Sequence, residues 1–370
     1  MTLRSFALSL IAVIAAAVPV TVRDSPQPSP QVRPQPPMDP ERARRLYVSV
    51  DPKDHSAGYN FQRDLEAKVQ ADRRYLQITT GVVDYRKITY RSSVGDLDIP
   101  AYLFQPLNKR GTKGHAALVW VHGGVHGNWD LRLWPFVKEA VDRGYVVICP
   151  DYRGSTGYGE AFHNEIDYGG YEIDDVMSAV EYLKTLPHVD MDRIGIMGWS
   201  HGGYITLFSV FRDRTPFRAA AAIVPVTNLV FRLSYKGPSY QRSFATQKRV
   251  GGLPFEKPDL YIQRSPLYSV DKLQVPLLVH AATNDTDVNF VEDQQIIDAL
   301  RSRKPDLAET KVYVDPPVGY AGGGHTFSRR VNMETLQRED TPEQIDSWNR
   351  TWAFFEWNLR PLSQSERPEK

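Results

Sequence analysis

The sequence has almost no cysteine and no excess of either charge. A single cysteine, Cys149, stands among 370 residues, which excludes an intrachain disulfide and a multi-cysteine zinc site. Its neighbours in residues 145–150 are apolar, so a buried structural thiol is expected. The 45 Lys and Arg side chains nearly balance 44 Asp and Glu, leaving a net charge of +1. That balance favours neither nucleic acid nor an anionic membrane as a partner.

Long charge-free stretches are also scarce, and the one at the amino terminus indicates export. Residues 6–22 carry no charge, Arg4 precedes them, and Ala15-Ala16-Ala17 matches a small-residue cleavage pattern. Residues 1–22 are therefore predicted to be a signal peptide that delivers the protein to the periplasm or the exterior. The alternative is an uncleaved membrane anchor, for which this stretch is at the short end of the ~17–25 residues required.

Composition then divides the rest of the chain. Residues 23–40 form a predicted extended tether, because seven prolines fall between residues 25 and 40. Residues 41–84 are polar and compatible with helix, and are predicted to be a helical amino-terminal extension. Residues 85–362 are predicted to form the catalytic domain, and residues 363–370 a short tail.

The catalytic domain shows a regular alternation of strand and helix patterns. Residues 88–104 predict two strands joined by a turn at Gly95-Asp96. Short apolar runs then alternate with amphipathic helices up to a last helix, whose start at Thr341-Pro342 carries a capping box. This pattern predicts an α/β fold with a mostly parallel, doubly wound sheet covered on both faces. The predicted strands are 116–121, 145–149, 194–199, 219–226, 276–281 and 310–314, and the predicted helices between them are 131–142, 173–186, 204–211 and 290–300.

The segment Gly198-Trp199-Ser200-His201-Gly202-Gly203 follows a predicted strand and precedes a predicted helix. In that context it is the pattern of a nucleophile elbow, a tight turn that raises a serine hydroxyl above the sheet. The amide of His201, at the start of the helix, is expected to point at the developing oxyanion. Ser200 is therefore the predicted nucleophile.

A serine nucleophile needs a base, and the base needs an orienting acid. Asp285 and Asp287 lie in the loop after one late strand, and His325 follows a glycine run after the next. This order of serine, acid and histidine is the one found in α/β-hydrolases. His325 is the predicted base and Asp285 the predicted orienter, with Asp287 as the alternative.

A second oxyanion donor is expected where strand 116–121 ends in His122-Gly123-Gly124. The glycine pair allows backbone amides, of Gly123 or Gly124, to turn toward the serine. His122 and His126 have a spacing that is possible for a metal pair, but no third ligand stands near them in sequence. No metal site and no cofactor are therefore predicted.

Together these motifs resemble the prolyl oligopeptidase family of the α/β-hydrolase superfamily, with its dipeptidyl and acylaminoacyl peptidase branches nearest. The resemblance covers residues 85–360 and rests on segments that occur in order, namely Asp151-Tyr-Arg-Gly-Ser-Thr-Gly-Tyr-Gly159, Tyr168-Gly-Gly-Tyr-Glu-Ile-Asp-Asp175, the elbow, Asn284-Asp285-Thr-Asp-Val288 and Gly323-Gly324-His325. It implies that Ser200, Asp285 and His325 are the triad. Arg153 and Asp175 match positions of the signature and are expected to form a buried ion pair.

Three departures from the family pattern qualify the resemblance. Members usually carry a β-propeller before the hydrolase domain, whereas residues 41–84 have room for about one blade at most. Some members have a tyrosine at the position of His122, where its hydroxyl joins the oxyanion hole. Several have an amide at the position of Asp287 that donates to a substrate carbonyl, which a carboxylate is unable to do.

The predicted function is hydrolysis of peptide bonds through an acyl-enzyme, with a carboxylesterase as the alternative. A non-catalytic binding protein of the same fold is disfavoured because every triad position is filled. The predicted substrate-binding residues are Trp199, Phe231, Tyr235 and Tyr240, although the last three are equally compatible with packing beneath a lid. Peptide or ester is the expected partner, and the sequence leaves the oligomeric state open.

Overall fold

A computed structural model describes residues 59–318 and 323–361. The predicted signal peptide, the tether and the tail lie outside these residues. The first described helix, α1 (Phe61–Thr79), falls within the predicted helical extension. Its first turn is capped by Asn60, whose side chain accepts a hydrogen bond from the amide of Arg63 at 3.0 Å.

The centre of the molecule is an eight-stranded sheet in the order β1-β2-β4-β3-β5-β6-β7-β8. β2 runs antiparallel to both β1 and β4, and the remaining neighbours are parallel. The mostly parallel sheet predicted from the apolar runs is therefore confirmed. The strands are β1 (Asp84–Arg91), β2 (Asp98–Gln105), β3 (His115–Val121), β4 (Val146–Pro150), β5 (Val189–Trp199), β6 (Ala219–Ile223), β7 (Leu277–Ala282) and β8 (Ala308–Tyr313).

Helices cover both faces of this sheet, which explains why β3, β4, β6 and β7 are buried along their whole length. One core lies beneath α4, α5 and α9, and the other beneath α1, α2 and α10. The remaining helices are α2 (Trp134–Asp142), α3 (Glu160–His163), α4 (Tyr171–Leu183), α5 (His201–Val210), α6 (Leu229–Tyr235), α7 (Pro238–Ala245), α8 (Pro258–Gln263), α9 (Phe290–Arg303) and α10 (Pro342–Leu359).

Local predictions agree closely with these elements. The hydroxyl of Thr341 accepts from the amide of Gln344 at 3.2 Å, so the predicted cap of α10 is confirmed. Cys149 is a buried free thiol. α5 begins at His201, three residues before the predicted start, because its first turn is the elbow itself. Within residues 59–318 and 323–361, no helix combines the length and the apolar character needed to cross a membrane.

Parallel strands bring the functional loops together. The loops after β3, β5, β7 and β8 all leave the carboxyl edge of the sheet, where ligands bind in α/β folds. Because β7 and β8 are neighbours, the loop that carries Asp285 lies against the loop that carries His325. An isolated bridge between Asp285 and Gly323 joins them.

Candidate active site

Ser200 occupies the turn between β5 and α5 in a conformation that few non-glycine residues adopt. Its φ is +56° and its ψ is −119°. The backbone holds this strained geometry, because the amide of Ser200 donates to the carbonyl of Ile223 at 3.0 Å and its carbonyl accepts from Val226 at 3.3 Å. The strand–turn–helix context predicted for a nucleophile elbow is therefore present.

The glycines beside Ser200 make room for the neighbouring loop. A Cβ atom on Gly202 would come within 2.3 Å of the carbonyl oxygen of Val121, a distance that no side chain tolerates. A Cβ atom on Gly123 would lie 2.9 Å from the carbonyl oxygen of Trp199 and 3.4 Å from the Cβ of Ser200. The loop after β3 thus passes directly against the elbow.

Asp285 and His325 form a short hydrogen-bonded pair. The Nδ1 atom of His325 lies 2.7 Å from Oδ2 of Asp285. The other carboxylate oxygen accepts from the amides of Asp287 at 2.8 Å and Val288 at 2.9 Å. Both oxygens are thereby satisfied and the side chain is fully buried. Asp285 is positioned to select the imidazole tautomer that carries its proton on Nδ1.

Asp287 sits on the opposite side of the same imidazole. One carboxylate oxygen lies 3.5 Å from Nε2 of His325, and the side chain is 40% exposed. The other oxygen accepts from Lys236 at 2.5 Å. Burial raises the pKa of Asp287, but Arg232, His325 and Lys236 outweigh it and lower that pKa to about 2. The predicted alternative orienter is thus a second carboxylate that faces Nε2 rather than Nδ1.

Two backbone amides are arranged for an oxyanion. His201 is the first residue of α5, so its amide has no partner within the helix and is directed outward at the positive end of the helix dipole. Gly123 lies against Ser200, whereas the carbonyl of Gly124 is anchored by the hydroxyl of Tyr152 at 2.7 Å. The oxyanion donors stay a prediction, and the packing of Gly123 against Ser200 favours its amide over that of Gly124.

Two further histidines beside the elbow, His201 and His122, have buried side chains. The ring of His201 is buried among tyrosines, and burial lowers its pKa well below the ordinary value. His122 Nε2 lies 2.9 Å from the Ser155 hydroxyl, and its ring stacks on Tyr152. His122 therefore does not stand in for the tyrosine hydroxyl that some peptidases place in the oxyanion hole.

Two cavities flank the oxyanion loop. We call the first the aromatic cavity; it measures about 350 Å³, and its lining includes Gly124, Tyr168, Tyr240 and Phe244. We call the second the cationic cavity; it measures about 140 Å³, and its lining includes Gly123, Asp130, Arg132 and Arg329. The aromatic cavity thus borders this loop at Gly124, and the cationic cavity borders it at Gly123.

Comparison with known proteins identifies the family of the chain. The prolyl oligopeptidase family matches residues 131–338, which is more than half of the chain. The chain belongs to the prolyl oligopeptidase family. The family is one of serine peptidases, and these comparisons do not favour the carboxylesterase alternative.

Individual relatives share only the catalytic part. The chain is 29% identical over 265 residues to the uncharacterized peptidase YuxL of Bacillus subtilis, spanning 71% of this chain and 38% of that one. It is 31% identical over 221 residues to dipeptidyl aminopeptidase BIII of Pseudoxanthomonas mexicana, spanning 58% and 31%. The chain therefore spans roughly a third of the length of these curated relatives.

Solved structures confirm the fold. An acylaminoacyl peptidase from Pyrococcus horikoshii superposes with a TM-score of 0.61 at 20% identity, over 78% of this chain and 44% of that one. A puromycin-hydrolyzing peptidase from Mycobacterium tuberculosis gives a TM-score of 0.58 at 22% identity, over 77% and 41%. The predicted α/β-hydrolase architecture is confirmed.

One predicted substrate-binding residue is wrong. Trp199 is buried in the core, its ring stacks on Trp120, and its indole nitrogen donates to the hydroxyl of Ser328 at 2.9 Å. The reason is the alternation of side chains along β5, which turns Trp199 toward α10. Its role is to connect the elbow with the residues after His325.

The three aromatic residues predicted for the pocket separate into two groups. Tyr240 lines the aromatic cavity. Tyr235 is instead tied to a buried carboxylate, since its hydroxyl donates to Glu292 at 2.5 Å. Phe231 packs against Tyr235, and its substrate contact stays a prediction.

Sequence reasoning missed the charged cluster behind these rings. Arg232 is 3% exposed and donates to the hydroxyls of Tyr240 at 2.8 Å and Tyr235 at 3.0 Å. Its guanidinium also lies 3.7 Å from Asp287 and 3.6 Å from Glu292. The signal that was available is a lone arginine in the apolar stretch Leu229–Leu233, because a buried cation requires partners.

A second missed contact joins α1 to the catalytic loops. The ammonium of Lys68 is buried and lies 2.5 Å from Asp151, whose other oxygen accepts from the amide of Trp129 at 2.6 Å. Trp129 ends the loop that supplies Gly123. The expected pair Arg153–Asp175 is confirmed nearby, fully buried at 2.7 Å. These pairs brace the loops after β3 and β4 from two directions.

Proposed function

We propose that this chain hydrolyses peptide bonds of short peptides, through an acyl-enzyme on Ser200. Family membership and the buried Asp285–His325 pair support the mechanism. Specificity for short peptides is supported by the aromatic cavity beside the oxyanion loop, which is large enough for one apolar side chain.

The reaction proceeds by two acyl transfers. Ser200 Oγ attacks the carbonyl carbon while Nε2 of His325 takes the hydroxyl proton, and the amides of His201 and Gly123 stabilise the oxyanion. His325 then donates that proton to the departing amine, and the acyl-enzyme remains. Water attacks the ester with His325 again as base, which regenerates Ser200. Asp285 holds the Nδ1 proton throughout and stabilises the imidazolium.

Binding energy from the acyl side distinguishes a peptidase from an esterase. An amide has a poor leaving group, so a peptidase must use contacts with the rest of the peptide in the transition state. In this chain those contacts come from Tyr168, Tyr240 and Phe244 around the aromatic cavity, and from Tyr59 at its rim. An activated ester needs fewer of them.

The test is a series of peptide nitroanilides that are lengthened from one to four residues on the acyl side, beside a nitrophenyl ester. We expect kcat/KM to rise with length and to fall in Tyr240→Ala, whose ring lines the cavity. Phe255→Ala, at a side chain that is 79% exposed, is the matched control. A flat series together with strong ester turnover would instead identify a carboxylesterase.

We further propose that the protein is exported and that residues 1–22 are removed. The support is the charge-free stretch after Arg4 and the alanine triplet at residues 15–17. Amino-terminal sequencing of the protein recovered from outside the cytoplasm should show a new terminus beyond this triplet. Recovery of Met1 or Thr2 in the membrane fraction would favour the uncleaved anchor.

A further inference from the structure

The cationic cavity begins at the oxyanion loop. Gly123, which packs against Ser200, is part of its lining, and so are Asp130, Arg132 and Arg329. An Nη atom of Arg329 lies 3.7 Å from the position that a Cβ of Gly123 would occupy, which is itself 3.4 Å from the Cβ of Ser200. The guanidinium of Arg329 and the side chain of Ser200 thus both lie against Gly123.

The position of this cavity relates it to the leaving group. A scissile carbonyl held by the two amides projects its acyl part and its leaving nitrogen in opposite directions. When the acyl side chain fills the aromatic cavity, the leaving group is directed to the cationic one. Arg329 also belongs to the loop of His325, the group that protonates the leaving nitrogen, and its amide donates to the carbonyl of Thr326 at 3.0 Å.

The charges of the cavity favour an anion. Asp130 is held by Arg132, with Nη2 to Oδ2 at 2.5 Å and Nε to Oδ1 at 3.0 Å. Burial raises the pKa of Asp130, but Arg132 and Arg329 outweigh it and lower that pKa, so the carboxylate stays ionised. The lining of the cavity thus includes two guanidiniums and one carboxylate. Planar guanidinium groups match carboxylates in geometry.

Arg329 is held in place before substrate arrives. Its guanidinium lies over the ring of Trp199, 5.8 Å from the centroid, and Trp199 is itself anchored to Ser328. A cation that is stacked on a buried aromatic ring loses little freedom when it binds an anion. The buried Trp199 therefore serves the leaving-group side indirectly, by supporting Arg329.

We propose that Arg329, together with Arg132, binds a carboxylate on the leaving group and makes the enzyme selective for such substrates. The simplest is a free carboxyl-terminal amino acid, whose carboxylate is two bonds from the scissile nitrogen. An acidic side chain on the leaving residue offers the same group. The proposal rests on the proposed function for the direction in which substrate lies.

The test compares matched substrates that share an N-acetyl-phenylalanyl acyl group. Their leaving groups are glycine, glycinamide and aspartate amide, and product release is measured by chromatography. We expect kcat/KM for glycine to exceed that for glycinamide by about tenfold, as one partly screened ion pair would give. If kcat/KM for aspartate amide equals that for glycine, the site accepts a carboxylate either at the chain terminus or on a side chain. If it equals that for glycinamide, the site accepts only a carboxylate at the chain terminus.

Two variants that change the charge of the cavity in opposite directions test the proposal further. Arg329→Gln should abolish the preference for glycine over glycinamide, and Asp130→Asn should increase that preference several-fold. Arg330→Gln is the matched control, since its guanidinium binds the carbonyl of Val318 instead. Equal rates for glycine and glycinamide in the unaltered enzyme, or an Arg329→Gln variant impaired equally on all substrates, would overturn the proposal.

A parallel pair of esters, with glycolate or glycolamide as leaving group, separates this inference from the peptidase proposal. A preference for glycolate that Arg329→Gln removes would support the carboxylate site even if no peptide were cleaved. Cleavage of peptides with no preference in either series would overturn the site and leave the peptidase intact.

Discussion

The two ring nitrogens of His325 face surroundings that differ in burial and charge. On the Nδ1 side, the Asp285 side chain is inaccessible to solvent and receives two backbone amides besides the imidazole. On the Nε2 side, Asp287 is 40% exposed and is neutralised by the side chains of Lys236 and Arg232. Two carboxylates that are two residues apart thus occupy opposite environments.

This difference gives the two carboxylates different roles. Asp285 orients the imidazole, whereas Asp287 borders the substrate. Asp285 accepts from two backbone amides through one oxygen, and its other oxygen bonds the imidazole of His325. Asp287 shares its charge with two cations and with solvent, which weakens any single interaction. Burial and backbone hydrogen bonds, rather than distance from the imidazole alone, therefore decide which aspartate is the orienter.

The largest effect on activity should come from removing the hydroxyl of Ser200, from which Nε2 of His325 takes a proton. Ser200→Ala should abolish both turnover and labelling by a fluorophosphonate, because the elbow would lose the hydroxyl that attacks the substrate and the probe. The measurement is labelling of the purified protein beside an activity assay. Full labelling of the alanine variant would show that the Nε2 side faces a different nucleophile.

The next effect compares the two carboxylates directly. Asp285→Asn should lower kcat by about 10⁴, the loss seen when a triad aspartate can no longer select the tautomer. Asp287→Asn should lower it by less than about tenfold, because its carboxylate is half-exposed and already paired. Steady-state kinetics on one peptide nitroanilide measures both. A reversed order of the two losses would make Asp287 the orienter.

A buried ion pair away from His325 tests whether burial sets the loss in free energy of unfolding when one partner is removed. Lys68→Met leaves Asp151 buried without its cation and should lower the free energy of unfolding by about 3–5 kcal/mol. Lys87→Met removes a partly exposed partner of Asp72 and should cost at most about 1 kcal/mol. Denaturant unfolding measures both. Equal losses would mean that burial does not distinguish the pairs.

The smallest effect concerns acid stability. The pKa of Asp287 is about 2 in the folded protein, below the ~3.9 of an unfolded aspartate. A lowered folded pKa contributes stability that is present above the unfolded value and is lost as pH falls toward 2. Asp287→Asn should therefore be slightly less stable than the unaltered protein at pH 6, and the gap should close near pH 2. A gap that widens in acid would contradict this sign.

Several features were predictable because they depend on local sequence. Ser200, Asp285 and His325 were identified from motif and order, and the structure joins the last two by a 2.7 Å hydrogen bond. The cap at Thr341 and the buried pair Arg153–Asp175 followed from residue types at known spacings. Each of these predictions rests on a short segment of the sequence, or on family motifs that occur in this chain in their usual order.

Other features were not predictable because distant segments create them. Trp199 was expected in the pocket, yet the packing of α10 on the sheet makes it a core residue. The contact between Lys68 and Asp151 joins residues that are far apart in the chain. The charges that surround Asp287 come from α6, across the site from its own loop. No local pattern encodes these partners.

The sequence alone determined the order of apolar strands and amphipathic helices and the turn at Ser200, because periodicity and turn chemistry are local properties of the chain. Only the tertiary structure decided which aspartate meets which nitrogen of His325, which side chains line the two cavities, and where Arg329 lies relative to the nucleophile. Those outcomes depend on how the carboxyl ends of separate strands and their covering helices come together. A one-dimensional pattern does not specify that packing.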